Sequence, residues 1–306
     1  MDVTDPIIAI SIVLPTYNGS KYLAGAIESL LRQTRTDWEL IIVDNGSTDD
    51  TPQIIARYVA QDARISSTFL PQSEGKLPSA LNAGFALARG HYHRWLADDD
   101  ELMPEALETF AGYLDAHPEI GLVYSHYLAS YDDGPPQVQH RPLPDLLPSK
   151  NVILPSFLYR AAVHRTIGGY RPEVFLAEDY DFFLRAYEHV RFHRLEAVLH
   201  FYRFHAGSLT GASKREAIDK AVKQTLLDNL EHLRWLQKPY PQALAYLYLY
   251  ELAQRHDWPE ARGYWWAAFR AAPHVVSRRM LLAALPSGLQ QGVAGWYQRV
   301  FRKNKV

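Results

Sequence analysis

The sequence predicts an α/β fold: a Rossmann-like, mainly parallel sheet flanked by helices, followed by a helical C-terminal region. Three observations predict it. Short apolar runs rich in β-branched residues alternate with segments of helical periodicity through about the first hundred residues. Polar clusters follow directly on three of those runs. Beyond about Ser208 the composition shifts to Leu, Ala and aromatic residues at helical spacing.

The elements follow in order. Residues 8–14 form a first apolar strand, ended by Pro15. Leu23, Ile27, Leu30 and Leu31 mark a helix over residues 21–33, with Ser20 placed to cap it. Residues 39–43 form a second strand. Thr51 and Pro52 read as the N-cap and first residue of a helix to about Val59. Residues 64–70 form a third strand, and 77–88 a helix stopped by Arg89 and Gly90. A fourth strand, 91–97, runs into Asp98, Asp99 and Asp100. Residues 135–148 are proline-rich and read as a loop, long enough to be a mobile segment near an active site. A short helix over 179–189 carries acids at its start, and 214–237 and 241–256 read as helices. The expected division is a catalytic domain over residues 1–210 and a helical region over 211–306.

Composition bounds the function. The 306 residues carry 47% hydrophobic and 22% charged residues and a formal net charge of -2, which fits a globular chain with a sizeable core and argues against a nucleic-acid binder. Cysteine is absent, which removes disulfides, thiolate metal sites and a cysteine nucleophile. The N-terminus starts with acids and lacks a signal-peptide pattern. No apolar run approaches the roughly 18 residues of a spanning helix. The expected location is cytoplasmic, with the inner face of a membrane as an alternative.

Parallel sheets place ligands at the carboxyl ends of their strands. There stand Thr16-Tyr17-Asn18 after the first strand, Asp44-Asn45-Gly46 after the second, and the three acids after the fourth. Adjacent carboxylates repel unless solvated or matched by a cation, so Asp98–Asp100 suit Mg²⁺ or Mn²⁺ as well as a solvated turn. Asp44 suits a base or ribose, or simply a capped turn. In Glu178-Asp179-Tyr180-Asp181 one carboxylate is a candidate general base, although acids also favour a helix N-terminus. Arg203 and His205 lie close enough in sequence to address a diphosphate or a metal.

Taken together, Val13-Leu14-Pro15-Thr16-Tyr17-Asn18, Val43-Asp44-Asn45-Gly46-Ser47-Thr48-Asp49, Leu81-Asn82-Ala83-Gly84, Leu96-Ala97-Asp98-Asp99-Asp100, Gly168-Gly169-Tyr170-Arg171 and Glu178-Asp179-Tyr180-Asp181 resemble the family 2 glycosyltransferases with a GT-A fold. The resemblance covers roughly residues 8 to 210. It implies an inverting enzyme that moves one sugar from a nucleoside-diphosphate sugar, UDP-linked by preference, to a hydroxyl acceptor in bacterial cell-surface polysaccharide or glycoconjugate synthesis. Pro15, Thr16, Tyr17, Asn18 and Asp44 would hold the nucleotide, with Lys76 and Asn82 facing the donor. Asp98 would reach the ribose, Asp99 would ligate the metal (Mn²⁺ or Mg²⁺) with Asp100 supporting, and His205 would add a metal or diphosphate contact. Asp179 would be the catalytic base. Ala97 departs from the family's Asp-x-Asp-Asp form by replacing its first acid.

The alternatives are a sugar-nucleotide pyrophosphorylase and a non-catalytic nucleotide-sugar-binding scaffold. The first wants a Gly-rich basic loop, whereas residues 15–20 hold one glycine; the second would be expected to lose the acids. No dinucleotide fingerprint or P-loop occurs. The spanning helices and Gln-x-x-Arg-Trp motif of processive synthases are missing, which favours single addition. In the C-terminal region, Tyr264-Trp265-Trp266, the apolar stretch 280–289, Trp296-Tyr297 and the basic end at 301–305 fit a helical core with a solvated tail. A membrane surface bearing a lipid-linked acceptor and a homodimer contact are the other readings.

Overall fold

The computed structural model describes residues 8–71, 76–132, 134–205, 207–209 and 214–276. Two compact units emerge, Met1–Pro144 with Val152–Ala221, and Asp145–Asn151 with Val222–Val306.

The first unit is built on one sheet. Its strands are β1 (Ile10–Thr16), β2 (Trp38–Asp44), β3 (Ile65–Phe69), β4 (Tyr92–Trp95), β5 (Glu101–Leu102), β6 (Ile120–Tyr131), β7 (Gln137–Gln139), β8 (Phe157–Arg160) and β9 (Arg191–Phe204). Their order is β3-β2-β1-β4-β8-β6-β9-β5, with β7 added to β6. β1, β2, β3, β4, β6 and β9 share one direction, and β5, β7 and β8 run against it. The sheet is therefore mainly parallel, as expected, with antiparallel insertions. β2 is buried along its whole length and β1 nearly so, which is why both read as unbroken apolar runs.

The helices of this unit are α1 (Leu23–Leu31), α2 (Thr51–Gln61), α3 (Leu77–Phe85), α4 (Ala106–Ala116), α5 (Ala161–Ile167) and α6 (Glu178–Tyr187). α1 buries Leu23, Ala26, Ile27 and Leu30, and α4 buries Leu107, Phe110, Ala111 and Leu114, each at the spacing of one helical face. Fully burying each such Leu or Ile is worth about 1.5–3 kcal/mol. α7 (Arg215–His232) crosses the boundary between the units. In the second unit α8 (Pro239–Arg255) and α9 (Ala261–Ala271) share a core of Leu247, Tyr250, Trp265, Ala268 and Val276. No helix among the described residues is long and apolar enough to cross a membrane. The apolar stretch 280–289, Trp296-Tyr297 and the basic end lie outside the described residues.

Several boundaries differ from the sequence reading. Ser20 does not cap α1, whose N-cap is Tyr22 without a side-chain bond. Instead the Ser20 N–H donates to Asp49 Oδ2 at 3.2 Å. The N-cap of α2 is Asp50 rather than Thr51. Asp49 Oδ1 accepts the Thr51 N–H at 3.0 Å. These bonds outweigh burial and hold the Asp49 carboxyl down at about 2. Residues 135–148 are not a plain loop: they contain β7 and the start of a 3₁₀ helix over Pro144–Ser149. Pro135, Pro136 and Pro142 flank β7 and stay out of its ladder, while Pro144 and Pro148 fall within the 3₁₀ helix.

α3 lies against β1 and β2 because Gly84 has no side chain. A Cβ there would stand 2.4 Å from Val13 Cγ1 and 3.0 Å from Val43 Cγ2. Gly84→Ala is therefore an overpacking change. It should cost about 1–3 kcal/mol, read as a lowered midpoint in thermal or urea denaturation. Wild-type melting in this variant would show that α3 can lift off the sheet freely.

Candidate active site

The carboxyl ends of β1 and β4 open into a cleft of about 750 Å³, within the usual size range of small-molecule sites. Its walls include Pro15, Thr16, Tyr17, Asn18, Asp98, Asp99, Asp100, Asp179 and His205. Nine of the twelve expected site residues thus meet in one place.

The acidic triad reaches the cleft because β4 is short. After Trp95 the Leu96 N–H still donates to the Val13 carbonyl at 3.0 Å. The chain then turns, with the Asp100 N–H 3.3 Å from the Ala97 carbonyl, and re-enters the sheet as β5 beside β9. Each acid has a different setting. Asp98 accepts a short hydrogen bond from Thr16 Oγ1. Gly19 makes room for that bond, since a Cβ there would lie 2.1 Å from Asp98 Oδ2. Asp99 Oδ2 lies 3.0 Å from His205 Nε2. Asp100 is buried, with Oδ1 taking the Arg203 N–H at 3.0 Å and Oδ2 lying 2.9 Å from His200 Nε2. Beneath it the fully buried Arg94 puts a guanidinium nitrogen 3.4 Å from His200 Nδ1. Since guanidinium only donates, His200 must accept at Nδ1 and donate from Nε2 to Asp100. Burial keeps His200 neutral by holding its pKa well below the ordinary 6.5.

Burial raises all three carboxyls. Asp98 is pushed to about 7, with the Thr16 bond opposing and the neighbouring acids adding to the rise. Asp99 is pushed to about 6 by burial and then by Asp100, with His205 opposing. Asp100 is pushed to about 8, with the Arg203 N–H and the Arg94 charge opposing. Across the cleft, burial and then Asp179 push Glu178 to about 8. Glu178 is 5% exposed, and its Oε2 has no hydrogen-bond partner among the described residues.

Asp179 sits in the first turn of α6, where Oδ1 accepts the Tyr180 N–H at 2.7 Å. Leu176, just before it, lines the cleft with a φ of 73°. For a leucine this left-handed conformation costs on the order of 1–3 kcal/mol. On the other wall Asn18, with a φ of 52°, donates its N–H to Ser47 Oγ at 2.9 Å and accepts the Thr48 N–H at 2.8 Å. This ties the loop after β1 to the loop after β2.

The remaining three expected residues lie elsewhere. Asp44 is in register with Thr16 but buried, with Oδ1 accepting the Ser47 N–H at 2.9 Å; Asn45 lines the cleft instead. Asn82 clamps Tyr170, accepting its N–H at 2.9 Å and donating to its carbonyl at 2.6 Å. That fixes the Gly168-Gly169 turn, where both φ values are near 80°. Lys76 is the exposed N-cap of α3, while Leu77 and Ala80 of that helix reach the cleft. Sequence reading missed Glu178, His200 and Tyr202 in the walls. Glu178 stood inside a cluster already singled out and Tyr202 directly before Arg203, but nothing marked their burial or direction.

Proton balance gives this site a pH signature. A carboxyl raised in the folded state holds a proton that the unfolded chain releases, so stability falls as pH climbs towards the raised value. The buried His93 and half-buried His164, held near 4 by desolvation, act in the opposite sense up to their ordinary 6.5. The carboxyl effect is therefore isolated from about pH 6.5 to 8, the range of Asp98, Asp100 and Glu178. In buffer with a chelator the melting temperature should fall across this range, and Glu178→Gln should flatten the slope. A melting temperature that rises with pH there would contradict the burial of these acids.

Known proteins show the same pattern. Residues 11–175 match the family described as "Glycosyl transferase family 2". The O-antigen biosynthesis protein RfbC of Myxococcus xanthus is 30% identical over 73% of this chain and 18% of its own length. The chain spans a quarter or less of the first curated relatives it matches. S. aureus TarS 1-349 in complex with UDP superposes with a TM-score of 0.65 at 20% identity, over 95% of this chain and 87% of that one. The mannosyltransferase PcManGT of Pyrobaculum calidifontis, in complex with GDP-Man and Mn²⁺, gives 0.62 at 18% identity, over 99% and 91%. The fold is of the GT-A type. The curled, mainly parallel sheet, the acids at its carboxyl edge and the match across more than half the sequence place this chain in glycosyl transferase family 2.

Proposed function

We propose that this chain transfers one glycosyl group from a nucleoside-diphosphate sugar to a hydroxyl acceptor, with inversion. The observation that carries the reading is the meeting of Asp98, Asp99, Asp100 and Asp179 in a single cleft with the strand-end residues Pro15 to Asn18. Relatives named for glycosyl transfer and for O-antigen synthesis support it, and UDP and GDP-Man complexes among fold neighbours support a nucleotide donor. UDP is our preferred carrier and a cell-surface polysaccharide our preferred product. We assign catalysis to residues 1–210, and to 211–306 membrane-surface or oligomer contacts and any acceptor contacts beyond the catalytic domain.

The donor set fits a hard divalent cation held partly by substrate. No cluster of three or more His, Asp or Glu side chains among the described residues could hold a metal by itself. Magnesium and manganese commonly take one or two carboxylates and complete their shells with phosphate oxygens and water. Asp99 is the ligand this site offers, since both Asp100 oxygens already take protein donors. His205 Nδ1 accepts the Gly207 N–H at 3.1 Å, so its proton sits on Nε2, facing Asp99. Ligation through Nε2 would require that proton to leave and the Gly207 bond to break. A bound cation supplies the Lewis acidity that neutralises charge on the departing diphosphate.

The chain's own groups do the rest. Tyr17 and Pro15 flank the base, and Asp98, fixed by Thr16, reaches the ribose. The Asp179 carboxylate takes the acceptor proton as the acceptor oxygen bonds to the anomeric carbon and the carbon–diphosphate bond breaks. Attack opposite the leaving group inverts that carbon, so no covalent intermediate is needed.

A panel of nucleotide sugars, screened by thermal shift with and without Mn²⁺, should identify a stabilising donor. Asp99→Asn should lose the Mn²⁺-dependent part of that shift. Asp179→Asn should lower kcat by about 10²–10⁴-fold while leaving donor affinity unchanged. Normal turnover by Asp179→Asn would remove it from the role of base. Stabilisation by no nucleotide sugar would remove the donor assignment.

A further inference from the structure

The cleft continues outward as an aromatic strip. Tyr202 lines the cleft wall, and Phe204, two residues on, shares its side of β9. Their rings lie 4.4 Å apart. On the neighbouring strand Tyr131 stands opposite Phe204, and the two rings stack at 4.5 Å, parallel to within 1°. Tyr127, on the same side of β6, approaches Tyr202 at 6.0 Å. Tyr131 is 57% exposed although Phe204 covers one face of its ring. Solvent therefore meets the other face and the edge. From Tyr202 to the strip's outer end is about 7 Å along the strand, at roughly 3.3 Å per residue.

We propose that this strip is the acceptor subsite, and that its occupant is a saccharide chain whose sugar rings lie on Tyr131 and Phe204 while its terminal hydroxyl enters the cleft. This inference rests on the glycosyl-transfer reading above and names where the acceptor lies. Pyranose rings present a face of C–H groups, which the electron-rich face of an aromatic ring attracts. Their hydroxyls stay in water or reach the phenol groups of Tyr127 and Tyr131. The strip is continuous with the wall that holds His205 and the acids, so a chain lying on it points its end at the reacting atoms. The exposed acid Asp132 closes its outer end, which suits a neutral or cationic ligand and opposes an anionic lipid surface.

An array of bacterial surface oligosaccharides tests this with wild type, Tyr131→Ala, Phe204→Ala and Tyr131→Phe, alongside release of nucleoside diphosphate from the nucleotide-sugar panel by hydrolysis, water taking the glycosyl group. Wild type and Tyr131→Phe should bind the same oligosaccharides. Tyr131→Ala should weaken that binding about tenfold, the value of one lost aromatic contact, and Phe204→Ala should do likewise. Release of nucleoside diphosphate should be unchanged in all four proteins. Tyr131 is exposed, so its variants keep the fold. Binding by the alanine variants equal to wild type, or no binding by wild type, overturns the strip while leaving glycosyl transfer standing if nucleoside diphosphate is released. Loss of binding to phosphatidylglycerol vesicles with no effect on oligosaccharides also overturns it. Absence of nucleoside-diphosphate release from every donor sinks the transfer reading, and this one with it.

Discussion

Crowded negative charge at the end of β4 is the constraint to which the rest of the site answers. Three successive carboxyls leave the sheet where water is scarce, and burial raises each one. The surroundings relieve the strain unequally. Thr16 holds Asp98, His205 faces Asp99, and His200 and the Arg203 backbone secure Asp100. Arg94 lies underneath as a buried cation whose Nε and one terminal nitrogen lack partners among the described residues. Such a cation is costly to bury, and its nearness to Asp100 gives a reason for its place. The outcome is a graded set: one acid fixed deep in the protein, one tied to the end of β1, and one turned to the cleft.

β1 and β2 were legible because central parallel strands are buried on both faces and so appear as apolar runs. β6, β8 and β9 were not. β9 alternates half-buried residues and contains Arg191, Arg194, Glu196 and Arg203, so its pattern is that of a polar segment. Only its pairing with β6 and β5 makes it a strand. The proline-rich segment misled for the opposite reason: prolines announce a loop, yet β7 needs only three residues at the sheet's edge.

The site was legible in placement where residue type stood out, since the acidic triad and Asp179 do line one cleft. It was read less well where one residue type has two uses. Asn82 and Asp44 are polar and near strand ends, but their side chains serve the backbone, one at Tyr170 and the other at Ser47. Glu178 shows the converse. Its neighbour Asp179 attracted the role of base, and only the fold reveals a second carboxyl sealed into the wall.

Asn18 bridges the loops that follow β1 and β2 through Ser47 and Thr48. Two stretches of chain separated by about thirty residues therefore behave as one rigid lip. A nucleotide settling against it would find the receiving surface already ordered, and little backbone entropy would be lost on contact. The same linkage makes the two loops interdependent: residues on one cannot be exchanged without changing how the other sits, so substitutions that retune base preference should show strong non-additivity across the bridge.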